Sequence, residues 1–293
     1  MRKGVRIVME CDRVRIRRKA ISSQRVEQVW ETLPQRLNLP PVPLPSLHCF
    51  DRLPSTNQTL WELLERGEPS GTAVVAAEQT AGRGQWGRSW SSASGGLYLS
   101  WSISPNLPLE KALLLTISSA WGIATVLGRY CKPEIPIQIK WPNDLILASR
   151  KLGGILTETR IHQQTIAQGV IGVGINWSNA VPEPGISLKR VLENRTVMSG
   201  FAISSLEELL ALTLRGLMYG EWAIANGQGE RVVAGYNQRL IHVGQSISID
   251  ETTGIIRGIT ETGQLNVELS TSQRIFLDPG QIRLGYPGCS SLG

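Results

Sequence analysis

Residues 82–88 read GRGQWGR, a loop in which glycine alternates with arginine. Glycine lets backbone N–H groups approach an anion closely, and guanidinium forks grip its oxygens. Such a loop suits a place where a phosphate and a carboxylate must be brought together, although a solvated basic loop has the same composition. Four other polar segments accompany it. Ser55-Thr56-Asn57 and Ala77-Glu78-Gln79 lie upstream. Lys140-Trp141-Pro142-Asn143-Asp144-Leu145 with Lys151-Leu152-Gly153-Gly154-Ile155-Leu156, and then Gly172-Val173-Gly174-Ile175-Asn176, lie downstream. Arg83, Arg88, Lys140 and Lys151 are the cations available to meet an anion. Gly172-x-Gly174 is not a dinucleotide fingerprint, because Trp177 stands where the third glycine belongs. Cys11, Cys49, Cys131 and Cys289 show no CxxC spacing, and His48, His162 and His242 are isolated. No protein-held metal is expected, and the cysteine usage suits a reducing cytoplasm.

The elements that must position these residues follow from the hydrophobic pattern. Ser55 stands at the N-cap position of a helix TNQTLWELLER, where its hydroxyl serves the helix, a ligand or both. Residues 72–80 and 97–103 read as buried strands, residues 109–130 as an apolar helix, and IQIKW, LILAS, GGILTETR and TIAQGVIGVGINW as further strands. Residues 178–200 read as a polar loop. Ser205-Leu206-Glu207-Glu208 is a capping box that opens a helix with Leu206, Leu209, Leu210, Leu214 and Leu217 on one face. From about Asn237 onward, short strands punctuated by Gly244, Gly254, Gly258, Gly263 and Gly280 indicate a small β-barrel. Upstream, residues 22–37 form one short helix interrupted by Pro34, and NLPPVPLPSL makes an extended linker. The domain division is therefore 1–45 as a basic, proline-rich extension, 46–236 as the main body and 237–293 as the C-terminal domain.

The chain has 293 residues, 41% hydrophobic and 18% charged, enough for an α/β core with a smaller second domain. No run of 18 apolar residues occurs, so no membrane span is expected, and the arginine-rich N-terminus lacks the form of a secretory signal. The net charge is +6, and residues 1–36 carry all of the excess, with 10 Arg/Lys against 4 Asp/Glu. A basic arm either contacts nucleic acid or is a poorly ordered tail; the tail is the reading favoured here.

The ordered blocks from about residue 48 to about residue 286 resemble the biotin–protein ligases, also called biotin–[acetyl-CoA-carboxylase] ligases. The resemblance implies an α/β (α+β) fold, a mixed-sheet biotin/lipoate ligase-like catalytic domain followed by an SH3-like barrel. It implies a cytoplasmic enzyme that activates biotin with ATP as biotinyl-5′-AMP, with Mg²⁺ on the triphosphate. The acyl group then passes to a lysine of a biotin carboxyl carrier protein. By match to the family blocks, Ser55, Thr56, Asn57 and Gln79 hold the ureido end and ring of biotin, and Gly153 and Gly154 admit its chain. Gln79 has a second reading, in which it satisfies loop backbone. Arg83, Gly84 and Gln85 of the loop bind biotin, Arg83 and Arg88 bind ATP, and Lys151, which with Lys140, Arg83 and Asp144 makes the catalytic set, lies against the biotin carboxylate and the α-phosphate. Lys140 is the second cation near the phosphate. Asp144 orients the acceptor amine or is a turn residue. Trp90 stacks on adenine or is an ordinary core tryptophan, and Asn176 contacts the adenylate or closes a strand end. The family loop is commonly GRGRRGR, so Gln85-Trp86 replaces two arginines and weakens the phosphate role of Gln85. Too few helices precede the proline run for a helix-turn-helix, so a single-function enzyme without sequence-specific DNA binding is expected, with a homodimer left open. Deletion of residues 1–40 is accordingly expected to leave ligation intact. The competing readings are a lipoate–protein ligase, whose ordered Arg-Arg…Gly-Gly-Gly…His-Asp segment does not occur, and a nucleic-acid-binding regulator or SH3-like scaffold.

Overall fold

The apolar stretches of the sequence pair into a sheet because only mutual hydrogen bonding satisfies their buried backbone groups. A computed structural model describes residues 21–37, 42–194, 202–249 and 252–286. The basic arm before residue 21 and part of the proline run lie outside the described residues. The main sheet has eight strands: β1 (Ser46–Leu53), β2 (Thr72–Gln79), β3 (Leu97–Ile103), β4 (Leu107–Pro108), β5 (Gln138–Lys140), β6 (Asp144–Leu147), β7 (Arg150–His162) and β8 (Thr165–Ile175). Their order is β1-β2-β3-β8-β7-β6-β5, with β4 beside β8, and only β1 and β2 run parallel. The mixed sheet expected from the sequence is thus present.

Helices cover the sheet: α1 (Ser23–Leu37), α2 (Thr56–Glu65), α3 (Leu113–Tyr130), α4 (Leu188–Glu193), α5 (Leu206–Ala225) and α6 (Gly229–Asn237). α3 is apolar around its whole circumference and lies in the core; its composition would also pass for a membrane span, but 83% of that window is buried within the fold. It crosses α5 at close range. A Cβ on Gly122 would lie 2.2 Å from Gly216 O, and one on Gly220 would lie 2.3 Å from Ser118 O, so glycine sets the approach of the two helices. At the start of α5 the capping box is half as expected. Ser205 Oγ accepts from Glu208 N, but the Glu208 carboxylate accepts from Ser204 N, not from Ser205 N.

Four features differ from the sequence reading. β1 was not anticipated, since SLHCFDRL has no clean alternation and becomes a strand through its parallel register with β2. α6 carries Gly229 and Gly235, poor helix formers; a Cβ on Gly235 would lie 2.1 Å from Trp121 Nε1, so packing against α3 overrides propensity. The loop after residue 178 contains α4. α1 runs through Pro34 without interruption and belongs to the packed body, not to an extension. Val26 and Leu33 are fully buried, Trp30 Nε1 donates to Val42 O at 2.8 Å, and Arg36 pairs with Glu208 at 3.3 Å.

After α6 the chain runs alongside β5, with Ile139 N donating to Arg239 O and Ile241 N to Ile139 O. It then forms a four-stranded antiparallel sheet of β9 (Ser246–Ile249), β10 (Thr252–Ile259), β11 (Leu265–Leu269) and β12 (Arg274–Leu277), as expected for a small C-terminal β unit. Trp141 Nε1 donates to Gly263 O at 2.9 Å, which ties this sheet to the strands that carry Lys140 and Asp144.

The burial of α1 reverses the expectation for its deletion. Removing residues 1–40 strips Val26, Trp30 and Leu33 from the core, and the truncated protein should unfold at much lower urea. The milder Leu33→Ala should destabilise by about 2–5 kcal/mol, read as a shifted urea midpoint at constant slope. An unchanged midpoint would return α1 to the status of an extension.

Candidate active site

The C-terminal ends of β2 and β5, the N-terminal end of β6, the start of α2 and the paired faces of β7 and β8 surround a cleft of about 640 Å³. Its floor is bare because Gly154 and Gly174 are register partners and Gly172 shares their face. A Cβ on Gly174 would lie 2.5 Å from Trp90 Nε1, and one on Gly172 would lie 2.3 Å from Asn57 Oδ1. Glycine at these positions is what lets Trp90 and Asn57 lie flat against the sheet. Ile155, Leu156 and Val173 supply the apolar part of the lining.

A chain of hydrogen bonds, neutral as far as Asn57, closes one end. Ser55 is the N-cap residue of α2, but its side chain makes no capping bond. Gln79 performs that service: its Oε1 accepts from Thr56 N at 2.8 Å and from Thr56 Oγ1 at 3.1 Å. Gln79 Nε2 donates to Ser92 Oγ at 2.9 Å. Ser100 Oγ lies 2.8 Å from Thr56 Oγ1 and 2.6 Å from Asn57 Oδ1. Asn57 Nδ2 donates to Glu158 Oε2 at 2.8 Å, and Glu158 Oε1 pairs with Arg83 at 3.3 Å. Ser55, Thr56 and Asn57 are all buried yet line the cleft. The sequence did not reveal Ser100, Ser92 or Glu158. Glu158 stands two and four residues beyond Leu156 and Gly154, and this period of two would have placed it on the cleft side of β7.

The other end is charged. Arg83, Arg88, Lys140, Lys151 and Arg283 line the cleft, against the single carboxylate of Asp144. This excess of positive charge selects an anionic ligand. Asp144 is 5% exposed, and its Oδ1 lies 2.7 Å from Lys151 Nζ while its Oδ2 lies 3.8 Å from Lys140 Nζ. Burial lowers the pKa of Lys140, Asp144 partly offsets that effect, and Lys151 and Arg88 push it down further. Lys151 Nζ also stands 5.2 Å over the Trp90 ring, whose buried Nε1 has no hydrogen-bond partner.

The glycine/arginine loop is a tight hairpin. Arg83 bridges Ser89, Gly84 N donates to Arg88 O at 2.7 Å, and Trp86 (φ 60°) and Gly87 (φ 72°) are both left-handed. Such a pair makes the turn that flanking antiparallel segments require. The turn leaves Trp86 68% exposed, next to Gly280 of the C-terminal segment. That segment, residues 279–286, was not foreseen as part of the site. Tyr286 Oη donates to Asp144 Oδ2 at 2.6 Å, and its ring lies 4.8 Å from Lys140 Nζ.

Of the residues singled out by sequence, Ser55, Thr56, Asn57, Gln79, Arg83, Gly84, Gln85, Arg88, Trp90, Lys140, Asp144, Lys151 and Gly154 meet in the cleft. Two do not. A Cβ on Gly153 would lie 2.5 Å from Gly174 O and 3.1 Å from Ile175, so this glycine serves strand packing on the other side of the sheet. Asn176 is buried behind the cleft, where its Oδ1 accepts from Asn179 at 3.1 Å, its backbone N donates to Leu152 O and its Nδ2 reaches Lys151 O at 3.5 Å. Its role here is the strand-end one.

Comparison with known proteins agrees with this geometry. Residues 49–176 match the biotin/lipoate A/B protein ligase family. The chain is 37% identical over 151 residues to the bifunctional ligase/repressor BirA of Bacillus spizizenii, covering 51% of this chain and 46% of that protein. It thus spans less than half the length of that relative. It is 29% identical to the biotin–[acetyl-CoA-carboxylase] ligase of Paracoccus denitrificans over 205 residues, covering 67% of this chain and 84% of that one. The fold is similar to that of the Aquifex aeolicus biotin protein ligase solved with biotin and ATP, at a TM-score of 0.60 and 24% identity over 78% of this chain and 95% of that one. Residues 49–176, which supply every part of the cleft except its C-terminal segment, are therefore the part of the chain that is similar to the biotin/lipoate A/B protein ligase family.

Proposed function

We propose that this chain condenses biotin with ATP to biotinyl-5′-AMP and passes the biotinyl group to a lysine of a biotin carboxyl carrier protein, in the cytoplasm. The observation that carries the reading is the division of one cleft into a neutral hydrogen-bonding end and an end with five cations around one carboxylate. Biotin has the same division, a neutral ureido bicycle at one end and a carboxylate at the other. Its ureido end fits against Ser55, Thr56 and Asn57, its chain over Gly154, and its carboxylate toward Lys151 and Arg83. The four-stranded unit after residue 237 acts as an SH3-like C-terminal domain whose last segment covers the cationic end.

The chemistry follows from charge. A carboxylate oxygen attacks the α-phosphorus, the bond to the leaving pyrophosphate breaks, and two anions must meet for this to happen. Lys151, Lys140, Arg83 and Arg88 offset that repulsion and align the groups, which is where most of the acceleration arises. Mg²⁺ enters with the triphosphate; among the described residues there is no group of three His, Cys, Asp or Glu to hold a resident ion. In the second step the neutral ε-amine of the acceptor attacks the acyl carbon, the C–O bond breaks and AMP departs with its electron pair. Asp144, the one carboxylate in the lining, orients the amine and takes its proton. Trp90, with its unpartnered Nε1 and a face beside Lys151, offers the adenine a stacking surface.

The direct test is incubation with α-labelled ATP and either biotin or lipoate; label should appear as an acyl-adenylate with biotin only. Lys151→Ala should lower adenylate formation by about 10²–10³, equivalent to about 3–4 kcal/mol. Near-normal biotin-dependent pyrophosphate release by this variant would remove Lys151 from the reaction. Asp144→Ala leaves Lys140 and Lys151 without their counter-ion and should destabilise the free protein by about 3 kcal/mol. Added ATP should restore much of the loss, visible as a larger rise in melting temperature than the wild type shows. Gln85→Arg puts a charge-assisted donor into the phosphate loop and should slow release of biotinyl-AMP by about tenfold. An unchanged release rate would place Gln85 away from the ligand.

A further inference from the structure

The C-terminal segment crosses the mouth of the cleft in an extended form, with Ile282, Leu284 and Tyr286 lining it. Ile282 and Leu284 pack against the core, and two side-chain hydrogen bonds hold the end of the segment. His242, buried and neutral because burial lowers its pKa, donates from Nε2 to Gly285 O at 3.1 Å. One residue further on, the Tyr286 hydroxyl donates to Asp144 Oδ2 at 2.6 Å, while Asp144 Oδ1 is taken by Lys151. Burial and the neighbouring Asp144 raise the Tyr286 pKa, so the phenol keeps its proton and acts only as a donor. Both oxygens of the one carboxylate in the cleft are therefore occupied in the closed form. Once Lys151 turns to the acyl phosphate, Tyr286 is the partner still hydrogen-bonded to Asp144, and an acceptor amine that is to donate to Oδ2 must displace it.

We infer that Tyr286 holds the place of the acceptor amine: its hydroxyl occupies Asp144 Oδ2 until the carrier protein arrives, and the segment that bears it then withdraws. This rests on the ligase reading of the cleft. In the first half-reaction the segment shields the adenylate from water; in the second it gives way to the lysine. The end of the segment beyond Leu284, held by the His242 and Asp144 hydrogen bonds, is suited to that opening, since local release costs far less than global unfolding. Tyr286 is thus a positioning residue, acting on the reaction through Asp144.

The experiment is single-turnover transfer from enzyme loaded with biotinyl-AMP to the carrier domain, comparing the wild type with Tyr286→Phe and His242→Leu. Tyr286→Phe removes the hydroxyl and keeps the ring over Lys140, while His242→Leu frees the strap at Gly285 from outside the cleft. Both should raise the second-order rate of transfer by three- to tenfold, the size expected for loss of one hydrogen bond to a charged group. A merely structural tyrosine predicts slower or unchanged transfer, and either result with Tyr286→Phe overturns the inference. Wild-type protein that forms no biotinyl-AMP would instead overturn the ligase reading itself, so the two failures are told apart by the loading step.

Discussion

The site depends on one buried carboxylate. Asp144 lies almost out of solvent between Lys140 and Lys151, and two ammonium groups so close in a partly desolvated place would repel each other without it. Its presence lets the fold hold both cations ready before any anion arrives. The arrangement is poised, because the triphosphate of ATP offers the lysines more negative charge than Asp144 does. Ligand binding then exchanges one set of ion pairs for another, and Asp144 keeps the Tyr286 hydroxyl as its partner until an amine takes that place. Buried ion pairs contribute little net stability, so their worth here lies in fixing where charge sits.

Everything around Asp144 serves to place that charge beside a neutral slot. Asp144 is the register partner of Gly154, and Gly154 of Gly174, so three adjacent strands carry the carboxylate and a bare floor at one level. Gln79, Thr56, Ser100, Asn57 and Glu158 run as a continuous chain of hydrogen bonds from β2 through α2 and β3 to β7. That chain keeps the neutral end rigid, and through Glu158 it also restrains Arg83 of the loop. The neutral and cationic ends are in this way mechanically linked, which is what a ligand with one neutral and one anionic end requires.

The parts of this site that were legible in the sequence are those whose chemistry sits in short, local blocks. Lys140 to Asp144, Lys151 to Gly154 and the glycine/arginine loop each carry their signal within a few residues, and the structure brings them together. What escaped the reading is long-range. Tyr286 meets Asp144 across 142 positions, and Glu158 meets Asn57 across 101, so no local pattern marks either pair. Ser55 has the residue type and backbone of an N-cap, yet Gln79 reaches across from β2 to bond Thr56 N instead. The same holds for α1 and α6, where burial of Trp30 and Leu33, and the close fit of Gly235 to Trp121, outweigh an interior proline and two glycines.

The central claim is that the cations of the cleft change partners when the acyl-adenylate is bound. A crystal structure with a non-hydrolysable biotinyl-AMP analogue tests it most directly. The ureido ring should lie beside Ser55, Thr56 and Asn57, with Lys151 Nζ within hydrogen-bond distance of the acyl-phosphate oxygens and Arg83 turned from Glu158 toward the ligand. An analogue bound elsewhere, or bound in the cleft with Lys151 still 2.7 Å from Asp144 and away from the phosphate, would contradict it.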